Sequence, residues 1–447
     1  MTRQLTGMGL SCPLFVAPSG RRGRAMEGGF RNPSQAVYRR PADTELCNLT
    51  AAGNLTTLGS RGCRMSQNAI AVNLRRIRRA KGLSQGAVAQ RAGLSRAAYG
   101  NIETGKSEPR VSNLQAIAGV LKVPLDQLVV PVQPLRAVRF RSFKRMRTRE
   151  EILVDVGRWL RDFNDVEKIL GDTVASRLDE IRRKVQGRRD KAGDAARLTR
   201  EAFGLGAGEP VRDVCGLLES EGIKVHRIQL ASPDFFGLSV GPQDGGPAVV
   251  VNTAERISVE RWIFTAAHEL GHLILHLSDY DVDQSEEQKE NEVEANAFAA
   301  EFLMPEVSFR KEWDETAGLD LVTRVLKVKR IFRVSYRTVL SRIASSYSGP
   351  GGIWKRFQVE YARRYGGTLK VADEPEAVQQ DAFRASFPEA RSAGEPDSLS
   401  PVDFVHDRLP RLVRRAVEEE KISLGRGAEV LGLSLAEMRD LSASWVA

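Results

Sequence analysis

Apolar positions recur at steps of three and four in short bursts from Asn68 to Val130, punctuated by Gly82, Gly93 and Gly105. That rhythm predicts a small all-α domain of five short helices. Ahead of it, residues 1–65 scatter Gly, Arg, Ser and Thr without a sustained period, so a disordered extension is expected, with Met65 as an alternative start. Helical patterning resumes from about Arg149 to Val185. Between 193 and 277 the period changes: helices near 193–204 and 210–221, strand-like runs at 223–229, 235–241 and 247–252, then a long helix from Ser258. Gly-Pro-Gln-Asp-Gly-Gly-Pro at 241–247 has the turn chemistry of a hairpin. Helices return after residue 290 through about 346, residues 366–400 read as a linker, and a last helical segment covers about 403–445.

The expectation is a multidomain chain, mainly α with one α+β domain. A five-helix unit at 66–131 is followed by a basic and helical connector at 132–192. A small α+β domain at 193–346 precedes a linker and helical C-terminal module at 347–447.

A composition of 42% hydrophobic and 28% charged residues is that of a soluble globular protein, and no apolar run approaches the roughly 18 residues that span a bilayer. Cys12, Cys47, Cys63 and Cys215 form no CxxC pair, and residues 13–17 are too short for an export signal, so a reducing cytoplasm is expected and no membrane partner. The net charge of +10 is unevenly placed. Residues 1–149 hold 26 Lys and Arg against 6 Asp and Glu, whereas residues 150–447 hold 41 against 51. A basic front end suits a polyanion, because nucleic-acid affinity comes largely from neutralising phosphates. The bland alternative is a solvated basic surface.

The first constellation is the run from Leu83 to Glu103. Ser84 and Ser95 are good helix N-caps, Gly93 can turn the chain between two helices, and Ala89 is small enough for their close approach. The second of these helices would lie in a major groove with Arg96, Ala97 and Asn101 facing the bases, while Val88, Ile102, Leu114 and Ile117 build the core. LSQGAVAQRAGLSRAAYGNIETGKSEP resembles the Xre-type helix-turn-helix of phage-repressor-like regulators over about 60 residues. The resemblance implies that Gln85 contacts the DNA backbone, that Arg96, Ala97 and Asn101 address base edges, and that Lys106 touches phosphate. It also implies a double-stranded operator and a homodimer. Gly100 departs mildly from a good recognition helix.

The second constellation is His268-Glu269-Leu270-Gly271-His272-Leu273-Ile274-Leu275-His276, holding three of the five histidines. Apolar residues from Val259 to Leu277 at steps of three and four make the segment a buried amphipathic helix. Residues four apart share a face, so His268 and His272 can grip one cation, and Glu269 can take a proton from water whose acidity that cation raises. His276 is too far along the helix to share the ion with His268. The metzincin continuation fails at Leu275 and Ser278. The third ligand is expected from the helix that begins at Asn291 and is stopped at Pro305: Glu292 is preferred, with Asn296 holding a histidine ring by its other nitrogen, and Glu294 is the fallback.

AAHELGHLILH followed by NEVEANAFAAEFLMP resembles the ImmA/IrrE-type metallopeptidases from roughly residue 193 to 346, VLKVKRIFRVSYRTVLSRI included. The resemblance implies a zincin-like α+β domain with His268, His272 and Glu292 as Zn2+ ligands, Glu269 as catalytic base, and a repressor-like regulatory protein as substrate. Tyr280 and Tyr336 are candidate oxyanion donors. A metal- or stress-sensing transcription factor without turnover and a toxin–antitoxin or mobile-element regulator remain alternatives. Three further signals are noted. The C-terminal run 422–438 has helix-turn-helix order but an acidic second helix, and reads as a packing module. The hairpin 235–252 offers an edge for β-addition. The basic run 136–149 either grazes DNA or forms a solvated helix face.

Overall fold

The computed structural model describes residues 69–79, 81–123, 125–129, 135, 137–142, 149–232, 235–280, 288–347, 352–370, 372–378 and 395–446. The expected N-terminal extension lies outside the described residues. Among them, no helix is long and apolar enough to cross a membrane.

Five helices come first: α1 at 69–79, α2 Gln85–Arg91, α3 Arg96–Glu103, α4 Val111–Leu121 and α5 Asp126–Val129. The Ser84 and Ser95 hydroxyls accept from the backbone N–H of Ala87 and Ala98, satisfying donors that a helix start leaves open. Gly93 takes φ +69° between them, a conformation costly for any residue with a Cβ. Val88, Ile102, Leu114 and Ile117 meet in one buried cluster with Leu74, Tyr99 and Leu128. Glu103, also buried, accepts two hydrogen bonds from Arg78.

The chain then makes a strand where a helical connector was expected: β1, Val138–Ser142. Its alternation is short and set among arginines, so a polar-run reading hid a strand whose stability comes from its neighbours. After α6 (Arg149–Leu170), α7 (Leu178–Val185), α8 (Lys191–Ala202) and α9 (Val214–Ser220) come β2 (Lys224–Ile228), β3 (Phe235–Val240) and β4 (Ala248–Asn252). The sheet order is β1-β3-β4-β2, with β3 antiparallel to β1 and β4, and β2 parallel to β4. The hairpin expectation for 241–247 is met by β3 and β4, paired Val240 to Ala248. Its expected free edge is not. β1 pairs with β3, so among the described residues the outer strands of the sheet are β1 and β2.

Ala248-Val249-Val250-Val251-Asn252 is buried along its whole length because helices cover both sheet faces. Val249 and Val251 join the cluster built on α10 (Val259–Leu275) and α11 (Lys289–Leu303). Val138, Val240 and Val250 face the other way, against α6 and the C-terminal helices Arg408–Glu418 and Leu424–Leu431. The α10 layer continues through α12 (Glu306–Glu315), α13 (Leu321–Phe332) and α14 (Tyr336–Ser346) to α15 (Ile353–Tyr365), whose Phe357 is fully buried. The last helix, Leu435–Ala443, is capped by Ser434 and buries Met438 in the cluster that holds α6, while Glu437 and Asp440 remain exposed.

Candidate metal centre

α10 starts after Ser258 and keeps its apolar side against the sheet and α11, which drives its polar pattern His-Glu-x-x-His into the protein interior. His268 and Glu269 are fully buried and His272 is 1% exposed. Burying three titratable groups is costly unless each is partnered or ligating. The close approach of α11 depends on Gly271, where a Cβ would stand 2.9 Å from the Phe298 ring. Across that contact, Glu292 in the first turn of α11 faces both imidazoles.

Nε2 of His268 and Nε2 of His272 lie 2.9 Å apart, and the Glu292 oxygens stand 3.3 Å from the first and 3.1 Å from the second. These three groups offer donor atoms all within 4.8 Å of one another. The opposite nitrogens are spoken for. His268 Nδ1 meets Asn296 Oδ1 at 3.0 Å, and an amide oxygen only accepts, so Nδ1 carries the proton and Nε2 keeps its lone pair. His272 Nδ1 is 3.0 Å from His276 Nδ1, and His276 Nε2 is 3.0 Å from Glu294 Oε2. The carboxylate accepts from His276 Nε2–H, so in the neutral ring Nδ1 accepts from His272 Nδ1–H. Glu294 thus sets the His276 tautomer, and His276 sets that of His272. Two lone pairs aimed at one another at 2.9 Å repel unless a cation lies between them, so the donor set fits a divalent metal.

Electrostatics favour the same state. Burial holds His272 well below its usual range, and His276 is lowered by burial against the pull of Glu294, which keeps the rings neutral. Burial alone would raise the Glu292 carboxyl, but its contacts with the His268 and His272 rings outweigh it and hold the group far below the usual carboxylate range.

Glu269 leaves the other side of the helix turn. Its Oε2 accepts from Ser239 Oγ at 2.8 Å, and Ser239 accepts from the Tyr280 hydroxyl at 2.7 Å. Gly237, two residues earlier on β3, has no room for a side chain: a Cβ would meet Thr265 Cγ2 at 2.7 Å and Glu269 Oε1 at 3.3 Å. Of the two tyrosines considered from the sequence, Tyr280 borders the site. Tyr336 does not; its ring stacks on Phe357 and its hydroxyl accepts from Arg337.

Two partners were invisible in the motif. Ser239 lies thirty residues before Glu269 on a strand whose facing could be read only once its pairing was known. Arg139, from the basic run 136–149, is neither on a helix face nor solvated: it is 8% exposed on β1, with Nη2 3.5 Å from Glu292 Oε1. His226 and His406, isolated in sequence, come together away from the metal centre, with ring centroids 6.2 Å apart and His226 stacked on Trp159.

On the first domain, Arg96, Ala97 and Asn101 are exposed on one side of α3, and Lys106 is exposed in the loop that follows. Gln85 is half-buried and donates to Glu103 at 3.0 Å.

Residues 74–128 match the family model described as helix-turn-helix, and residues 218–344 match the one described as IrrE N-terminal-like domain. The chain thus carries a helix-turn-helix domain and, after it, an IrrE N-terminal-like domain. The segment matched by the IrrE-like model contains His268, Glu269, His272, Glu292 and Asn296, and also Ser239, but neither β1 nor α6. A search of the curated proteins found no match to the chain.

Proposed function

We propose that the chain is a cytoplasmic transcription regulator in which α3 reads a DNA operator and the IrrE-like domain is a Zn2+-dependent endopeptidase acting on a repressor-like regulatory protein. One observation carries the enzymatic half: three donor atoms converge within 4.8 Å while both imidazoles are oriented from behind by Asn296 and His276. Two imidazoles and a carboxylate with an open fourth position suit catalytic zinc. When bound, the ion would supply Lewis acidity to water and to the substrate carbonyl.

Glu269, held by Ser239, would take the proton from water as its oxygen bonds to the carbonyl carbon and the C=O π pair moves onto oxygen. The same carboxyl would deliver that proton to the amide nitrogen as the C–N bond breaks. On the DNA side, exposed Arg96 and Asn101 suit guanine and adenine edges, Lys106 suits phosphate, and a pair of chains suits a two-fold operator.

A second reading, metal sensing without turnover, is favoured by the complete burial of Glu269. Glu269→Gln separates the two. Proteolysis predicts that the variant keeps its metal, leaves the regulated protein intact and loses regulation of the target promoter. Retained metal with unchanged regulation would defeat the proteolytic reading.

A further inference from the structure

Arg139 raises a physical question that the metal motif does not answer. It sits opposite Ser239 in the β1–β3 ladder, so both side chains leave the same face of the sheet, toward α10. It is 8% exposed, yet its contact with Glu292 is long at 3.5 Å, and its Nε–H has no hydrogen-bond partner among the described residues. Burying a guanidinium without a close partner is costly, because water no longer solvates its charge. A fold keeps such a group where a further anion completes it. The Glu292 carboxylate that Arg139 approaches also faces His268 and His272, which places Arg139 at the border of the metal centre. The neighbouring donors are already used: Tyr280 gives its only O–H to Ser239, and Ser239 gives its own to Glu269.

We propose that Arg139 forms an oxyanion-binding subsite beside the His268, His272 and Glu292 donors and is the residue that holds the substrate's carbonyl oxygen as negative charge collects on it. The inference rests on the peptidase reading above. In the hydrolytic step the water oxygen bonds to the carbonyl carbon and the π pair becomes a lone pair on the former carbonyl oxygen. Arg139 N–H groups donate to that oxygen while it is charged, and the pair returns to re-form C=O as the C–N bond breaks and the amine leaves with the proton carried by Glu269. Preorganised donors of this kind act most strongly in a dry, low-dielectric site. Because β1 precedes the IrrE-like segment, the donor would be supplied by the stretch that joins that segment to the DNA-reading domain.

The test uses the full-length chain loaded with Co2+, with inorganic phosphate as a tetrahedral oxyanion probe followed by the visible absorption of the bound Co2+. Arg139→Gln should keep one Co2+ per chain and bind phosphate at least tenfold more weakly than the parent, and Arg139→Lys should recover part of the loss. Equal phosphate affinity in the parent and Arg139→Gln would overturn the proposal. Loss of Co2+ from Arg139→Gln would overturn it as well, since Arg139 would then serve only to steady Glu292. Failure of the parent chain to take up Co2+ would instead remove the peptidase reading, and this inference with it.

Discussion

Gly271→Ala tests whether the contact between α10 and α11 is what keeps Glu292 and Asn296 in reach of the histidines. In mid-helix, Ala is favoured over Gly by about 1 kcal/mol. Opposing this, the new Cβ would stand 2.9 Å from Phe298 Cδ1 and 3.2 Å from Cγ, where an unstrained contact is about 3.5–4.0 Å. Phe298 cannot swing aside, because it is fully buried and stacks on Phe302 with centroids 5.7 Å apart and planes 8° from parallel. Overpacking of this kind costs about 1–3 kcal/mol, so the net change is about 0–2 kcal/mol of destabilisation, up to roughly 8 °C in melting temperature at about 2–4 °C per kcal/mol. The larger effect falls on the metal. Relief requires α11 to retreat by about 0.6 Å or more, which exceeds the roughly 0.5 Å tolerance of a preorganised site. Zn2+ affinity should drop about tenfold in chelator competition. Gly119→Ala in α4, where a Cβ meets nothing within 4 Å, is the control and should leave metal affinity alone. A Gly271→Ala protein with a raised melting temperature and unchanged Zn2+ affinity would refute the reasoning.

Other consequences are more local. His276→Ala leaves the buried His272 Nδ1–H without its acceptor, so Zn2+ affinity should fall about 10–100-fold, and unchanged affinity would show that the Glu294–His276 pair does not orient His272. Burial lowers His226 to about 3, and its Nδ1 has no partner among the described residues. Unfolding therefore takes up a proton as pH drops from about 6.5 toward 3, so the stability this depressed group supplies is present at neutral pH and lost across that window. His226→Phe should narrow the gap in melting temperature between pH 7.5 and pH 5, and an unaltered gap would contradict the sign. Arg96→Ala with Asn101→Ala should remove operator preference at about 1–3 kcal/mol per lost base contact, measured as the ratio of operator to random-DNA affinity. A preserved ratio would remove those residues from base reading.

Where function was written into local pattern, the sequence was readable. Ser84 and Ser95 announce helix starts by the chemistry of their hydroxyls, and the apolar spacing around His268 and His272 requires a buried helix whatever packs on it. The acidic helix after it was legible because Glu292 and Asn296 recur at i and i+4. What escaped depended on pairing between distant segments. β1 looked like a charged connector because Arg139 and Arg141 mask its alternation, and only the neighbouring β3 makes it a strand. Helical spacing turns Glu294 away from Glu292, toward solvent. Its side chain is indeed 40% exposed, yet the carboxylate bonds His276, a contact that helical periodicity alone does not reveal. Ser239 became part of the site through strand register, and Phe357 joined the core from a helix beyond the segment read as the α+β domain.

The most direct measurement of the central claim is the metal content of the purified full-length chain by elemental analysis, beside Glu269→Gln and His272→Ala. A three-donor centre predicts one transition metal ion per chain in the parent and in Glu269→Gln, and a small fraction of that in His272→Ala. A parent chain without stoichiometric metal, or a His272→Ala chain that retains it in full, would contradict the account.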